Sequence, residues 1–390
     1  MMSKDLNMKV NVLPVTTYNF LHVNDGRLEI KDVELQKIAS SNKAGIPSGV
    51  TLKENVSFDE AGEIFRENKE RILALKEEMV SPNCETAKRD ESQSIRTGMG
   101  ADVDKLFLEN NISCDVYTVE KNVKVAEPIV LRQDLEDGAT GMSSQVIHAK
   151  KGSEVTVIMA YSSERSASGF LGVSTRLLAD EDATINLVKV QLLGDGYVHF
   201  DDIGGACLRG GKINLTTLEL GGKEAFNGAY INLSEKEAAL SSNLGYLSRD
   251  DHSLDMNYVA DQRGKKTEAS MQFKGVLMGT AKKTLRDTLD FKTGSSGSVG
   301  DEQEDALLLS ENVVNRTMPI ILCQEEDVEG RHGATIGQLG EDLLFYMQTR
   351  GIDEEEAKRI MIKARLESVA RLIPDQEIRQ LAIYYIQQIV

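Results

Sequence analysis

Lys212-Ile213-Asn214-Leu215-Thr216-Thr217-Leu218-Glu219-Leu220 is a short run of β-type residues bounded by glycines. Comparable runs lie on both sides of it, at residues 155–160, 183–190, 238–247 and 269–277, spaced at intervals of about 25 to 30 residues. The tripeptide Ile-Asn-Leu recurs, beginning at Ile185, Ile213 and Ile231. A fixed period of this size, with no helical pattern between the strands, predicts solenoid coils that add strands to stacked parallel sheets. The alternative, an antiparallel sandwich, calls for two-residue hairpins and closer alternation. The pattern favours a parallel β-helix over residues 115–335.

A solenoid has two ends, and each must be capped or paired because exposed strand edges invite further pairing. An N-terminal mixed and helical region, residues 1–114, is expected to meet one end. Within it, Asn24-Asp25-Gly26 reads as a tight turn. Ser57 with Glu60 reads as a capping box, and Ala61, Ile64, Phe65, Ile72 and Leu75 follow at helical spacing, predicting an amphipathic helix to about Met79. Residues 81–96 are polar and read as a linker. Gly98-Met99-Gly100 lacks the third glycine and the preceding strand of a dinucleotide fingerprint, and reads as a plain loop. At the other end, Pro319-Ile320-Ile321-Leu322-Cys323 is expected to be the closing strand.

Past residue 335 the periodicity turns helical, giving a C-terminal α-helical domain over 336–390. Leu343, Leu344 and Met347 form a first apolar face, with Gly351 at the expected C-terminal cap. Asp353 and Glu356 make a capping box for a helix of about 20 residues whose stripe reads Ala357, Ile360, Met361, Ala364 and Ser368 and continues to Leu372. Pro374 ends that helix, and Ile378, Leu381, Ala382, Tyr385, Ile386 and Ile389 mark a final one. Lys358, Arg359, Lys363 and Arg365 are expected to point away from the stripe, as a solvated face does.

Between strands and helices stands Asp327-Val328-Glu329-Gly330-Arg331-His332-Gly333-Ala334-Thr335. Glycines on both sides of His332 predict a bend from which the imidazole projects. His332 is the leading functional candidate. His22, His148, His199 and His252 have no partner at metal-ligand spacing.

A formal net charge of -17 argues against a general nucleic-acid or anionic-membrane surface, which needs clustered Lys and Arg. The N-terminus has no apolar signal core and no run approaches a membrane span, so a cytoplasmic chain is expected. Cys84, Cys114, Cys207 and Cys323 are scattered without a C-x-x-C pair, which suits reduced thiols. Cys323 and Cys207 are expected to be buried packing residues. Glu304, Glu325, Glu326 and Glu329 supply carboxylates near the junction and read as mostly solvated. Gly211-Lys212-Ile213 lacks the Ser/Thr and the earlier glycine of a Walker A loop, and Gly264-Lys265-Lys266 fails likewise. Any ATP chemistry is therefore expected to be supplied by a partner.

The His332 stretch, followed by Leu344-Phe345-Tyr346-Met347-Gln348-Thr349-Arg350-Gly351-Ile352, resembles the signature of the SufB/SufD family of iron–sulfur cluster assembly proteins. That signature is Asp-Val-x-x-x-His-Gly-Ala-Thr and then Phe-Tyr-x-x-x-Arg-Gly-Ile. B-type members flank the histidine with glutamates, where this chain has Arg331 and Gly333, so it looks D-type; the D-type cysteine two residues earlier is Gly330 here.

The resemblance implies a right-handed parallel β-helix and a SufD-like scaffold subunit. It implies pairing with a SufB-like chain, or with a second copy of itself, as a dimer through the β-helix. It implies a SufC-type ATPase docked on the C-terminal helices, with Tyr346, Arg350, Gly351, Lys358, Arg359, Lys363 and Arg365 as candidate contacts. It also implies a transient iron–sulfur cluster shared across the interface, with His332 as a ligand and Glu329 as a weaker candidate. From another class, a β-helix enzyme acting on polysaccharide is disfavoured by 5% aromatic residues, no Trp and no secretion signal. An ATP-binding transporter subunit is disfavoured by the missing Walker A loop.

Overall fold

A computed structural model of the chain describes residues 4–15, 17–42, 44–72 and 95–390. Its centre is a parallel β-solenoid of about eight turns. Beyond Cys114 the chain enters two sheets in alternation. One sheet contains Ile129–Leu135, Glu154–Ser163, Thr184–Leu192, Lys212–Glu219, Ala239–Ser248, Glu268–Leu277, Ser298–Leu308 and Val328–Gly337. The other contains Val50–Val56, Cys114–Val119, Thr140–Ala149, Ser168–Ala179, Gly196–Cys207, Glu224–Leu233, Ser253–Gln262, Lys282–Phe291 and Val314–Cys323.

All five runs read from the periodicity fall on consecutive rungs of the first sheet. The repeated tripeptide has a physical reason there. Ile185 lies opposite Ile213, and Asn214 Nδ2 donates to Asn186 Oδ1 at 2.8 Å, so equivalent side chains stack rung upon rung. The copy starting at Ile231 lies on the second sheet. Between the sheets sits an apolar core that includes Val157, Leu187, Leu215, Ile231, Leu244, Met256, Phe273 and Leu289.

Each outer face is covered as well. On the second sheet, Phe170, Phe200 and Phe226 receive Leu6, Leu28, Val103 and Phe107 from the hairpin Lys4–Val10/Gly26–Val33 and the helix Ala101–Glu109. The N-terminal region therefore blankets a face, while among its described residues only Val50–Val56 caps an end, pairing antiparallel with Cys114–Val119. Gly98 makes the close approach possible: a Cβ there would stand 2.0 Å from the Ala229 nitrogen. Asn257 Nδ2 donates to Gly98 O at 2.7 Å, and the Met99 amide to Asp202 Oδ1 at 2.9 Å. The helix beginning at Ala101 is not among the expected elements, although its buried Val103, Leu106 and Phe107 stand at helical spacing.

Several local expectations are corrected. Residues 11–25 join the two hairpin strands, so Asn24-Asp25-Gly26 only leads into the second and is not a tight turn. Ser57 Oγ does accept from the Glu60 amide at 3.2 Å, but the helix breaks into Phe58–Ala61 and Glu63–Glu67 at Gly62. Residues 68–72 follow as turns and not as helix, and the rest of the expected run to Met79, with Cys84 and the polar stretch through residue 94, lies outside the described residues. Ile95, placed at the end of that linker, is buried against the solenoid.

The C-terminal helices are Glu341–Thr349, Glu354–Ala370 and Gln376–Ile389. Gly351, with φ at +82°, caps the first, and Asp353 accepts from the Glu356 amide to start the second. The last two pack on the outer face of the first sheet, where Val188, Val190, Leu218, Leu247 and Val276 meet Leu366, Val369, Ile378 and Ile386. The final helix buries Ile378, Ala382, Ile386 and Ile389, as its spacing predicts. The middle helix does not follow its expected stripe: Ala357, Ile362, Leu366, Val369 and Ala370 are buried, while Ile360 and Ala364 are exposed. Its apolar residues encircle the helix, so spacing alone left the buried side undecided. Among the described residues, no helix is long and apolar enough to cross a membrane.

Candidate functional site

Val328–Gly337 is the last strand of its sheet and Val314–Cys323 the last of the other, so both sheets end at one mouth of the solenoid. The bend expected at His332 is instead this last strand, paired in parallel with Ser298–Leu308. Gly330 and Gly333 are extended and not turned. Their small size serves packing: a Cβ on Gly330 would press Phe291 and Ile321 at 3.1–3.2 Å, and one on Gly333 would meet Gln303 Oε1 at 2.3 Å.

Alternation in the strand then assigns faces. Gly300, Glu302 and Glu304 are buried and point inward, and opposite them stand Gly330, His332 and Ala334. His332 therefore sits over the open end of the interior, half exposed because no further rung covers it. Its Nδ1 lies 3.9 Å from Glu302 Oε1.

The interior beneath is polar. Lys283 Nζ donates to Glu304 Oε1 at 2.5 Å and to Thr317 Oγ1 at 2.9 Å. The Tyr246 and Thr317 hydroxyls donate to the same carboxylate at 2.7 and 2.6 Å. Glu302 has no such set, and neither of its oxygens meets hydrogen-bond geometry. Burial, reinforced by the Asp287 charge and opposed by the Ile320 amide, pushes its carboxyl up to about 10. Asp287 is pushed up to about 7 by burial and then by Glu304, against Lys283.

The other junction residues are less central. Glu329 lies on the opposite face of the strand from His332 and pairs with Arg331 at 2.5 Å, both side chains exposed. Cys323 is exposed and not buried, because its strand is the edge of the sheet; its thiol donates to Glu325 O at 3.0 Å. Cys207 is buried within Gly196–Cys207, as expected. Glu304 is buried and paired, contrary to the solvated reading, because its strand is interior-facing at even-numbered positions. Glu325 holds a turn by accepting from the Gly294 amide at 2.9 Å. Among the described residues, no group of three or more His, Cys, Asp or Glu side chains is gathered for a metal ion.

On the helices, Tyr346 is exposed with the Arg350 guanidinium 5.4 Å from its ring centre. Lys358 pairs with Glu354 and Glu355 at 2.9 Å, and Arg359 with Glu356 at 2.7 Å. Arg365 turns back to the solenoid, 3.1 Å from Asp305, and does not point away from it. Lys363 is partly exposed. Glu302, Asp287, Lys283 and Tyr246 were not anticipated as neighbours of the site. The available signal was the rung period, since one rung past Glu302 is His332.

A family model described as SUF system FeS cluster assembly, SufBD core domain, matches residues 132–365. The chain is 23% identical over 305 residues to the iron-sulfur cluster assembly protein SufD of Bacillus subtilis (strain 168), covering 73% of this chain and 70% of that protein. It is 21% identical over 284 residues to an iron-sulfur cluster assembly SufBD family protein of Mycobacterium leprae (strain TN), covering 70% and 71%. Over 122 residues it is 30% identical to the chloroplastic SufBD family protein ABCI8 of Arabidopsis thaliana, covering 30% of this chain but 22% of that protein. With the family match spanning more than half of its length and lying on the solenoid that carries His332, the chain belongs to the SufBD core family of SUF-system iron–sulfur cluster assembly proteins.

Proposed function

We propose that this chain is a SufD-like scaffold subunit that pairs at its open solenoid end with a SufB-like chain and offers His332 as one ligand to a nascent cluster shared across that interface. The observation that carries this reading is the position of His332, facing inward on the last rung of an uncapped mouth. Terminal strands present unpaired N–H and C=O groups, which favour the addition of strands from another chain. A histidine there would meet ligands from the partner, which suits a chain whose own described residues gather no metal set. The SufC-type ATPase would dock on the C-terminal helices, where Leu343, Phe345 and Tyr346 are exposed together. The cluster is cargo in this reading, assembled and passed on.

Light scattering on size-separated samples tests the partners: the chain alone, then with the SufC-type ATPase and the SufB-like chain of its organism. A heteromeric complex with raised ATPase activity supports the scaffold reading. A stable homodimer that ignores both partners transfers the role to a self-paired scaffold. Within the complex, His332→Ala should cut cluster yield several-fold while thermal unfolding stays unchanged. Wild-type yield in that variant removes the ligand assignment.

A further inference from the structure

We infer that the turn Asn19–Leu21 is a contact arm at the solenoid's last rung, seating Phe20 and Leu21 on the outer face of the solenoid that pairs there. The inference rests on the proposed pairing with a SufB-like chain and adds to it the apolar residues that grip that partner.

The path of the N-terminal hairpin carries it. Rungs of the second sheet run in order from Thr140–Ala149 to Val314–Cys323 at the mouth, and the chain crosses them lengthwise. Gln36 O accepts from the Met142 amide, on the Thr140–Ala149 rung, at 2.8 Å. Four rungs on, a Cβ at Gly26 would stand 2.8 Å from Asp255 Oδ1, and Asn11 Nδ2 donates to the same oxygen at 2.7 Å. One rung further, Val23 O accepts from Arg286 Nε at 2.8 Å. Beyond Arg286 that sheet has just the edge strand Val314–Cys323, and rungs are about 4.8 Å apart. The excursion between Asn11 and Gly26 therefore has its far point, around Phe20, at or past the last rung.

Two further observations make that point a contact. Phe20 is 93% exposed and Leu21 61%, so the tip offers apolar surface that the described residues leave uncovered. The tip is nonetheless a built turn. The Tyr18 amide donates to Asn24 Oδ1 at 2.8 Å, Asn24 Nδ2 donates to Asn19 Oδ1, and the Leu21 amide donates to Tyr18 O at 3.0 Å. A turn held in one shape loses little freedom on docking, and buried aromatic anchors carry much of an interface's energy.

The occupant follows from the place. A strand added to the open edge of Val314–Cys323 extends the second sheet, and its outer face continues the one on which the hairpin already lies. That face receives apolar side chains in this chain, where Phe170, Phe200 and Phe226 hold Leu6 and Leu28. Phe20 and Leu21 would meet a partner rung in the same way. The net charge of -17 weighs against an anionic membrane as the occupant.

The test titrates the SufB-like chain into the full wild-type chain and into the double variant Phe20→Ala, Leu21→Ala. The double variant should bind about 10- to 100-fold more weakly. Its thermal unfolding alone should stay unchanged, because both side chains are exposed. Amide hydrogen exchange at residues 19–22 should slow in the wild-type complex. Equal affinity overturns the inference and leaves the pairing intact, and so does weaker binding with exchange at the tip unchanged. A wild-type chain that does not bind the SufB-like chain ends the pairing reading, and the inference with it. A homodimer that the double variant loosens, with no heteromer formed, makes the occupant a second copy and overturns the SufB-like assignment. Binding of the wild-type chain but not the variant to phosphatidylglycerol vesicles, with the complex unaffected, puts lipid at the tip and overturns the inference as well.

Discussion

Lys283 and Glu304 form an ion pair sealed inside the solenoid, Nζ to Oε1 at 2.5 Å, with side-chain exposures of 0% and 1%. One strand of each sheet contributes a partner, so the pair ties the two sheets together one rung below the mouth. Removing one member strands the other charge in a low-dielectric interior. Glu304→Ala should therefore lower stability by about 3–5 kcal/mol. The double change Lys283→Met with Glu304→Gln should recover most of that loss, since a neutral pair leaves no buried charge. Urea unfolding of the three chains checks both, and a double variant no better than the single one would count against the ion-pair account.

Glu219 supplies a pH dependence with a defined sign. Burial, then the negative charge of Asp201, pushes its carboxyl up to about 8 from an ordinary value of 4.5, against Asn227 and Lys189. Between those limits the folded chain keeps a proton that the unfolded chain has lost. Stability from this group thus falls as pH rises from about 4.5 to about 8, and is level above that. Glu219→Gln cannot ionise, so its stability relative to wild type should grow across the window, reaching on the order of a few kcal/mol. Melting curves at pH 5 and pH 9 decide it; equal gaps at both would exclude Glu219 as the source.

The covering helix makes a contrast between packing and charge. Leu366 is fully buried against the outer face of the first sheet, and Leu366→Ala should cost about 2–5 kcal/mol. One residue earlier, Arg365 pairs with a partly exposed Asp305, and Arg365→Ala should cost at most about 1 kcal/mol. Thermal unfolding of the two variants compares them, and the reverse order would place the helix's hold in its charges.

How much was legible differs between the two sheets. Runs such as Lys212–Glu219 declare themselves because their exposed and buried positions differ in polarity. Gly196–Cys207 and Ser253–Gln262 did not, although they are strands of the same turns. Both carry buried polar residues, among them His199, Asp201, Asp202, Asn257 and Asp261. A strand covered on both faces loses its alternation, and interior charges disguise it as loop. The same effect hid Glu302 and Glu304, whose stretch Asp301-Glu302-Gln303-Glu304-Asp305 is polar throughout.

By itself, the sequence determined that this chain is a solenoid with helices after it, because stacking equivalent side chains at each turn requires a period that local composition records. It also determined the Gly351 cap of the first helix and the Asp353 start of the second, since capping is a matter of neighbouring residues, whereas the second helix stops at Ala370 and does not run on to the expected end at Pro374. Only the tertiary structure decided that His332 lies in a strand, that it faces inward, and that Glu302 waits beneath it. Those facts depend on register between segments one rung apart and on which rung is last. Register is set by packing summed over the whole solenoid, and no local pattern around His332 contains it.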